Sequence, residues 1–191
     1  MIRDDISDCN PLDGYWMEGD SLAPPCQTDD DVIDAILQLA NLSHDSYLLD
    51  LGCGDGRICI AASQRYGCRS CGVEIEENLI ADFRRNIETT RLSNLTCAVQ
   101  GDLTEFNCSD ATVIVLYLLP ESIELIKSKL FAALDRGATL ICHTWGPKGI
   151  VPQKRVYCGQ WNNVSLHFYT KDSLYTIDKD PILPAAVTDG L

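Results

Sequence analysis

The apolar residues of this chain fall into two alternating rhythms, one of short apolar runs and one repeating near 3.6 residues. Val32, Ile33, Ile36, Leu37 and Ala40 recur on a single helical face. Thr28 stands before them as an N-cap, with Asp31 three residues on and acids through the first turn. Tyr47–Leu51 then reads as a short strand stopped by glycines. Helix returns over Arg57–Tyr66, ended by Gly67, and strand over Ser70–Ile75. In Glu76–Arg91, Ile80, Phe83 and Ile87 share one helical face. Leu95–Gln100 and Ala111–Leu116 are the third and fourth strands. The fourth is almost wholly apolar, which suits a strand covered on both sides. Pro120 opens a helix to about Leu134, with Ile123, Ile126, Leu130 and Leu134 inward. Ala138–His143 is a fifth strand. The rhythm then changes, and Lys154–Cys158 and Val164–Tyr169 face each other across Gly159–Asn163 as a hairpin does.

Strand–helix alternation closed by a hairpin predicts an α/β fold, a parallel sheet with an antiparallel C-terminal edge and helices on both faces. The domain spans 28–175. Residues 1–27, with Asn10-Pro11, Asp13-Gly14 and Pro24-Pro25, read as an arm, or as a lid carrying Tyr15 and Trp16; 176–191 reads as a loose tail. In parallel sheets of this kind ligands bind beyond the carboxyl ends of the strands, near the switch in strand order. The residues just after each strand are therefore the candidates for chemistry.

After the first strand comes Asp50-Leu51-Gly52-Cys53-Gly54-Asp55-Gly56-Arg57. Glycines at 52, 54 and 56 let the backbone turn sharply and lie against a ligand. A dinucleotide site would space them G-x-G-x-x-G. Here the spacing is G-x-G-x-G behind an acid, which suits a zwitterionic amino-acid moiety whose ammonium needs a carboxylate. Glu74, at the end of the second strand, is placed to accept from both ribose hydroxyls of a nucleoside, with Ile75 offering an apolar face to a base. Asp102, after the third strand, could accept from an exocyclic adenine amine, with Leu103 beside it.

These residues resemble the class I, Rossmann-like, seven-strand S-adenosylmethionine-dependent methyltransferases. Leu48–Arg57 looks like their motif I, Glu74 like their ribose acid and Gly101-Asp102 like their adenine-side acid, and the likeness runs from about Thr28 to Trp145. Gly54–Ile58 together with Leu116–Glu121 is similar to small bacterial methyltransferases. It is similar too to the mitochondrial protein-lysine methyltransferases of ATP synthase subunit c and the adenine nucleotide translocase. The resemblance implies S-adenosyl-L-methionine as cofactor, held by Asp50, Gly52, Cys53, Gly54, Gly56, Glu74, Ile75, Asp102 and Leu103, with no metal. It places Tyr117 at the acceptor, and His143, at the end of the fifth strand, is the candidate for proton removal. Methyltransferases acting on bases often carry Asp/Asn-Pro-Pro-aromatic where this chain has Tyr117-Leu118-Leu119-Pro120. A lysine of a protein is accordingly the expected acceptor. A small molecule, or a cofactor-binding partner protein without activity, are the alternatives.

Charge sharpens the choice of partner. There are 15 basic and 28 acidic residues, a formal charge of −13, which repels phosphate backbones and draws cationic substrates. Nucleic acid is therefore not expected. No apolar run approaches the ~18 residues of a membrane span. The acid-rich start resembles neither a signal nor a transit peptide, and no hydrophobic anchor is apparent, so the expectation is a cytoplasmic protein. In both respects the chain departs from the mitochondrial enzymes, and its substrate is expected to differ. Ten cysteines are many for such a chain. Cys53, Cys59, Cys97 and Cys142 sit in apolar or motif segments, as reduced core thiols do. Cys68 and Cys71 have half the spacing of a zinc site without a second pair.

Overall fold

Branched and aliphatic residues alternate along the central strands so that each strand buries both of its faces, and the elements follow from that. The structure, a computed structural model, describes residues 27–176. The elements are α1 (Asp30–Ala40), β1 (Tyr47–Leu51), α2 (Arg57–Tyr66), β2 (Arg69–Glu74), α3 (Glu77–Thr90), β3 (Thr96–Gln100), β4 (Val113–Leu116), α4 (Pro120–Asp135), β5 (Thr139–His143), β6 (Lys154–Cys158) and β7 (Val164–Tyr169). They form one seven-stranded sheet in the order β3-β2-β1-β4-β5-β7-β6. The first five strands are parallel, and β7 and β6 add antiparallel pairings at one edge. The expected architecture is the observed one.

Successive side chains of a strand leave on opposite faces, so one sheet supports two cores. Leu48, Val113, Val115, Ile141 and Leu166 face α1, α2 and α3 through Val32, Ile36, Ile58, Ile80 and Phe83. Leu49, Leu51, Val73, Ile114, Leu116 and Leu140 face α4 through Ile123, Ile126, Leu130 and Leu134. Cys68 belongs to the first core and Cys71 to the second, so the pair with zinc-like spacing is divided between the faces. Among the described residues no helix is long and apolar enough to cross a membrane.

Most boundaries lie within two residues of the expectation, and the departures have causes. Asp29, not Thr28, caps α1. Thr28 is buried, and its carbonyl accepts from Arg57 Nη1 at 3.0 Å. Cys97 is exposed because β3 is an edge strand with one half-open face. Lys171–Tyr175, a stretch to which the sequence pattern assigns no element, forms a 3-10 turn under a capping box of Thr170 and Ser173. The arm or lid with Trp16, and the tail beyond Thr176, lie outside the described residues.

Gly72 is the tightest point of the sheet. A Cβ there would lie 2.5 Å from Cys53 Sγ and 2.7 Å from the Phe83 ring, whereas one at Gly101 would meet nothing within 4 Å. Gly72→Ala is expected to cost about 1–3 kcal/mol by overpacking. Gly101→Ala should stay within about 0.5 kcal/mol of the parent. Urea midpoints at constant m-value measure both, and equal midpoints for the two variants would refute the packing argument.

Candidate functional site

The direction of strand order reverses between β1 and β4, so the chain segments leaving these strands part and open a crevice. The turn after β1 lines it with three glycines of positive φ, at 80°, 54° and 77° for Gly52, Gly54 and Gly56. The sequence offers the same reason for all three, a sharp turn lying against a ligand. The structure separates them. A Cβ on Gly56 would lie 1.9 Å from the Phe83 ring, so this glycine is required by the core. A Cβ on Gly54 would meet nothing within 4 Å, so this one opens onto free space. Cys53 turns its thiol into the core against Gly72, and burial pushes the thiol well above its ordinary range. Its backbone remains in the turn, where the Gly52 and Cys53 N–H groups both donate to the Val73 carbonyl at 2.9 and 3.1 Å.

Three carboxylates gather here. Asp50 is buried, and desolvation first, then the charges of Glu74 and Asp55, raise its pKa from 3.8 to about 7. Glu74 accepts from the Gly54 N–H at 2.9 Å, and from the Ile75 and Glu76 N–H groups at 2.9 and 3.0 Å. It thus braces the glycine turn from β2, which sequence reading did not foresee. Asp55 receives a two-pronged contact from Arg57 at 3.0 and 2.8 Å, and Arg57 also holds the Thr28 carbonyl. Ile75 is 41% exposed beside Glu74, free to cover an apolar ring.

On the β3 side, Asp102 is exposed, and its carboxylate accepts from the Thr104 N–H at 2.7 Å, which lowers its pKa. Leu103 turns its side chain into the α4-side core instead of the crevice. The turn they form is gripped by a residue that sequence reading missed. Lys129 Nζ, from α4, donates to the carbonyls of Leu103, Thr104 and Phe106 at 3.0, 2.5 and 2.9 Å. A lone lysine among helical residues carries no sequence signal for that task.

Beyond β4 and β5, Tyr117 and His143 come together with ring centroids 3.7 Å apart at 49°. Burial lowers the His143 pKa from 6.5 to about 4, so the imidazole is neutral at physiological pH. Its Nδ1 lies 3.2 Å from Thr144 Oγ1.

The crevice suits a cationic amino acid joined to a nucleoside. Gly54 leaves open space, Asp50 is a buried carboxylate among like charges, and Ile75 is an exposed apolar side chain next to a carboxylate. Among the described residues no group of three or more His, Cys, Asp or Glu is arranged to hold a metal ion.

Comparison with known proteins gives the same direction. The family model of the ANTKMT methyltransferase domain matches residues 50–154. A protein-lysine N-methyltransferase of Saccharolobus islandicus is 34% identical over 134 residues, covering 67% of this chain and 83% of that protein. The adenine nucleotide translocase lysine N-methyltransferase of Mus musculus is 30% identical over 109 residues, but the match spans only 48% of its length. Among solved structures, an RNA methyltransferase from Salinibacter ruber, in complex with S-adenosyl-L-homocysteine, superposes with a TM-score of 0.72 at 32% identity. It covers 81% of this chain and 97% of its own. With its switch-point crevice and glycine turn, the chain belongs to the ANTKMT methyltransferase domain family, class I methyltransferases whose cofactor is S-adenosylmethionine.

Proposed function

We propose that this methyltransferase acts on the side-chain amine of a lysine in a protein substrate. The observation that carries the acceptor reading is the close, tilted ring pair of Tyr117 and neutral His143 at the carboxyl ends of β4 and β5. The Saccharolobus relative, named a protein-lysine N-methyltransferase, supports the same class of acceptor.

When bound, S-adenosylmethionine supplies a methyl group already activated on a sulfonium. In this reading Asp50 takes the cofactor's ammonium, Glu74 its ribose hydroxyls, and Ile75 one face of the adenine. Gly52, Cys53, Gly54 and Gly56 contribute backbone, and Asp102 and Leu103 border the adenine edge. Tyr117 and His143 orient the lysine nitrogen in line with the methyl carbon, the alignment that does most of the catalysis. The amine arrives neutral, its proton left to water, because desolvation disfavours an ammonium. A histidine with a pKa near 4 is too weak a base to deprotonate an ammonium outright. It serves as an acceptor for an amine N–H, and the proton released after transfer leaves to solvent. The formal charge of −13 favours a basic protein segment.

A second reading, an RNA base as acceptor, has one observation in its favour, the name of the Salinibacter protein. The net charge opposes it, as does Tyr117-Leu118-Leu119-Pro120 in place of Asp/Asn-Pro-Pro-aromatic.

Labelled cofactor incubated with a lysate separates these readings. Label is expected in the protein fraction and, after hydrolysis, in methylated lysine. Label confined to RNA or to small molecules would exclude lysine as acceptor.

Asp50 yields a pH dependence. Its folded pKa is raised, so the native state holds a proton that the unfolded chain releases, and stability without cofactor should fall as pH rises from about 4 to 7. An ammonium beside Asp50 reverses the preference. Affinity for S-adenosylhomocysteine should rise up to about tenfold per pH unit below 7 and level off above, with proton release on binding. Calorimetry between pH 5.5 and 8 reads this directly. The slope should vanish in Asp50→Asn, and a flat profile in the parent would remove Asp50 from the ammonium site.

A further inference from the structure

Thr144 follows His143 directly at the end of β5, and its backbone is left-handed, with φ at 68°. Of the four non-glycine residues with positive φ among the described residues, Asn41 and Arg91 end helices and Asn162 lies in the β6–β7 turn. Thr144 alone of these is β-branched, and for such a side chain this conformation is an outlier. The Trp145 N–H donates to the His143 carbonyl at 2.9 Å, closing a three-residue turn around Thr144 of the rare, positive-φ kind. Neighbours hold the turn in place. The Thr144 N–H donates to the Ser165 carbonyl at 2.7 Å, and Ser165 Oγ donates to the Thr144 carbonyl at 3.4 Å. Glycine would make this turn without strain, but it has no hydroxyl. The hydroxyl here lies 3.2 Å from His143 Nδ1. Backbone strain kept in place by its surroundings gathers at functional sites.

We propose that Thr144 is a positioning residue for methyl transfer, its hydroxyl accepting from His143 Nδ1–H so that Nε2 keeps the lone pair that receives an acceptor N–H. The inference rests on the reading of His143 as part of the acceptor site. Without the hydroxyl, a buried Nδ1–H loses the acceptor 3.2 Å away, which disfavours that tautomer, and the Nε2–H form would present a donor to an incoming amine.

The test uses the full chain and whichever fraction accepts label. Thr144→Val keeps the branched shape and removes the hydroxyl. Turnover is expected to fall at least about tenfold, the scale of one hydrogen bond made in the transition state, with cofactor Kd and Tm unchanged. Thr144→Ser should restore most of the turnover. Thr144→Gly should raise Tm by a few degrees through release of strain while lowering turnover, a divergence that a purely structural threonine would not give. If Thr144→Val works as well as the parent while His143→Gln is impaired, the inference is wrong and the acceptor reading stands. If His143→Gln also turns over normally, the acceptor reading fails and the inference with it.

Discussion

Phe83 occupies space that two glycines leave empty. Its ring lies where a Cβ of Gly56 and a Cβ of Gly72 would otherwise stand, so the start of α2, the middle of β2 and the inner face of α3 close on one phenyl group. Cys53 fills the remaining corner beside Gly72. Because a core at this density absorbs little displacement, the turn after β1 has one place to lie. That place sets the Gly54 N–H against Glu74, which in turn fixes the carboxylate at the end of β2. The geometry of the switch-point crevice thus depends on an apolar contact beneath it.

Above that contact the electrostatics are unfavourable when the cofactor is absent. Asp50 and Glu74 end adjacent strands and Asp55 stands close by, and Arg57 pairs with Asp55. Like charges held together by a rigid frame are tolerated where a ligand of opposite charge completes them. Beyond β4 and β5 the design is different. Tyr117 and the buried, uncharged His143 form an aromatic wall there, and in the proposed reaction that wall would align a neutral amine and hold water away from it.

Much of this could be read in the sequence because the signals were local. Hydrophobic period located every α-helix and strand of the described residues, and the order of elements gave the sheet its parallel body and hairpin edge. The acid–glycine turn and the carboxylates after successive strands marked the crevice. What escaped was whatever depends on contact between distant segments. Nothing around Gly56 tells that its partner is Phe83, nor does the sequence separate its role from that of Gly54. Glu74 looked like a ligand group, and its bonds to backbone N–H groups appeared only with the fold. Thr144 escaped for another reason: a threonine at the end of an apolar run reads as strand, and its left-handed turn contradicts its own propensity.

The Lys129 contacts bear on when the crevice becomes complete. The connection from β3 to β4 contains no helix, and the turn after β3 has its carbonyls held by an ammonium 23 to 26 residues further along the chain. During synthesis the glycine turn, Glu74 and Asp102 all leave the ribosome before the residue that anchors the turn after β3. At roughly 5–20 residues per second, that interval is on the order of one to several seconds. Through that interval the nascent chain has the glycine turn and the carboxylates of the crevice without a fixed rim, and α4 completes the crevice when it docks on the sheet.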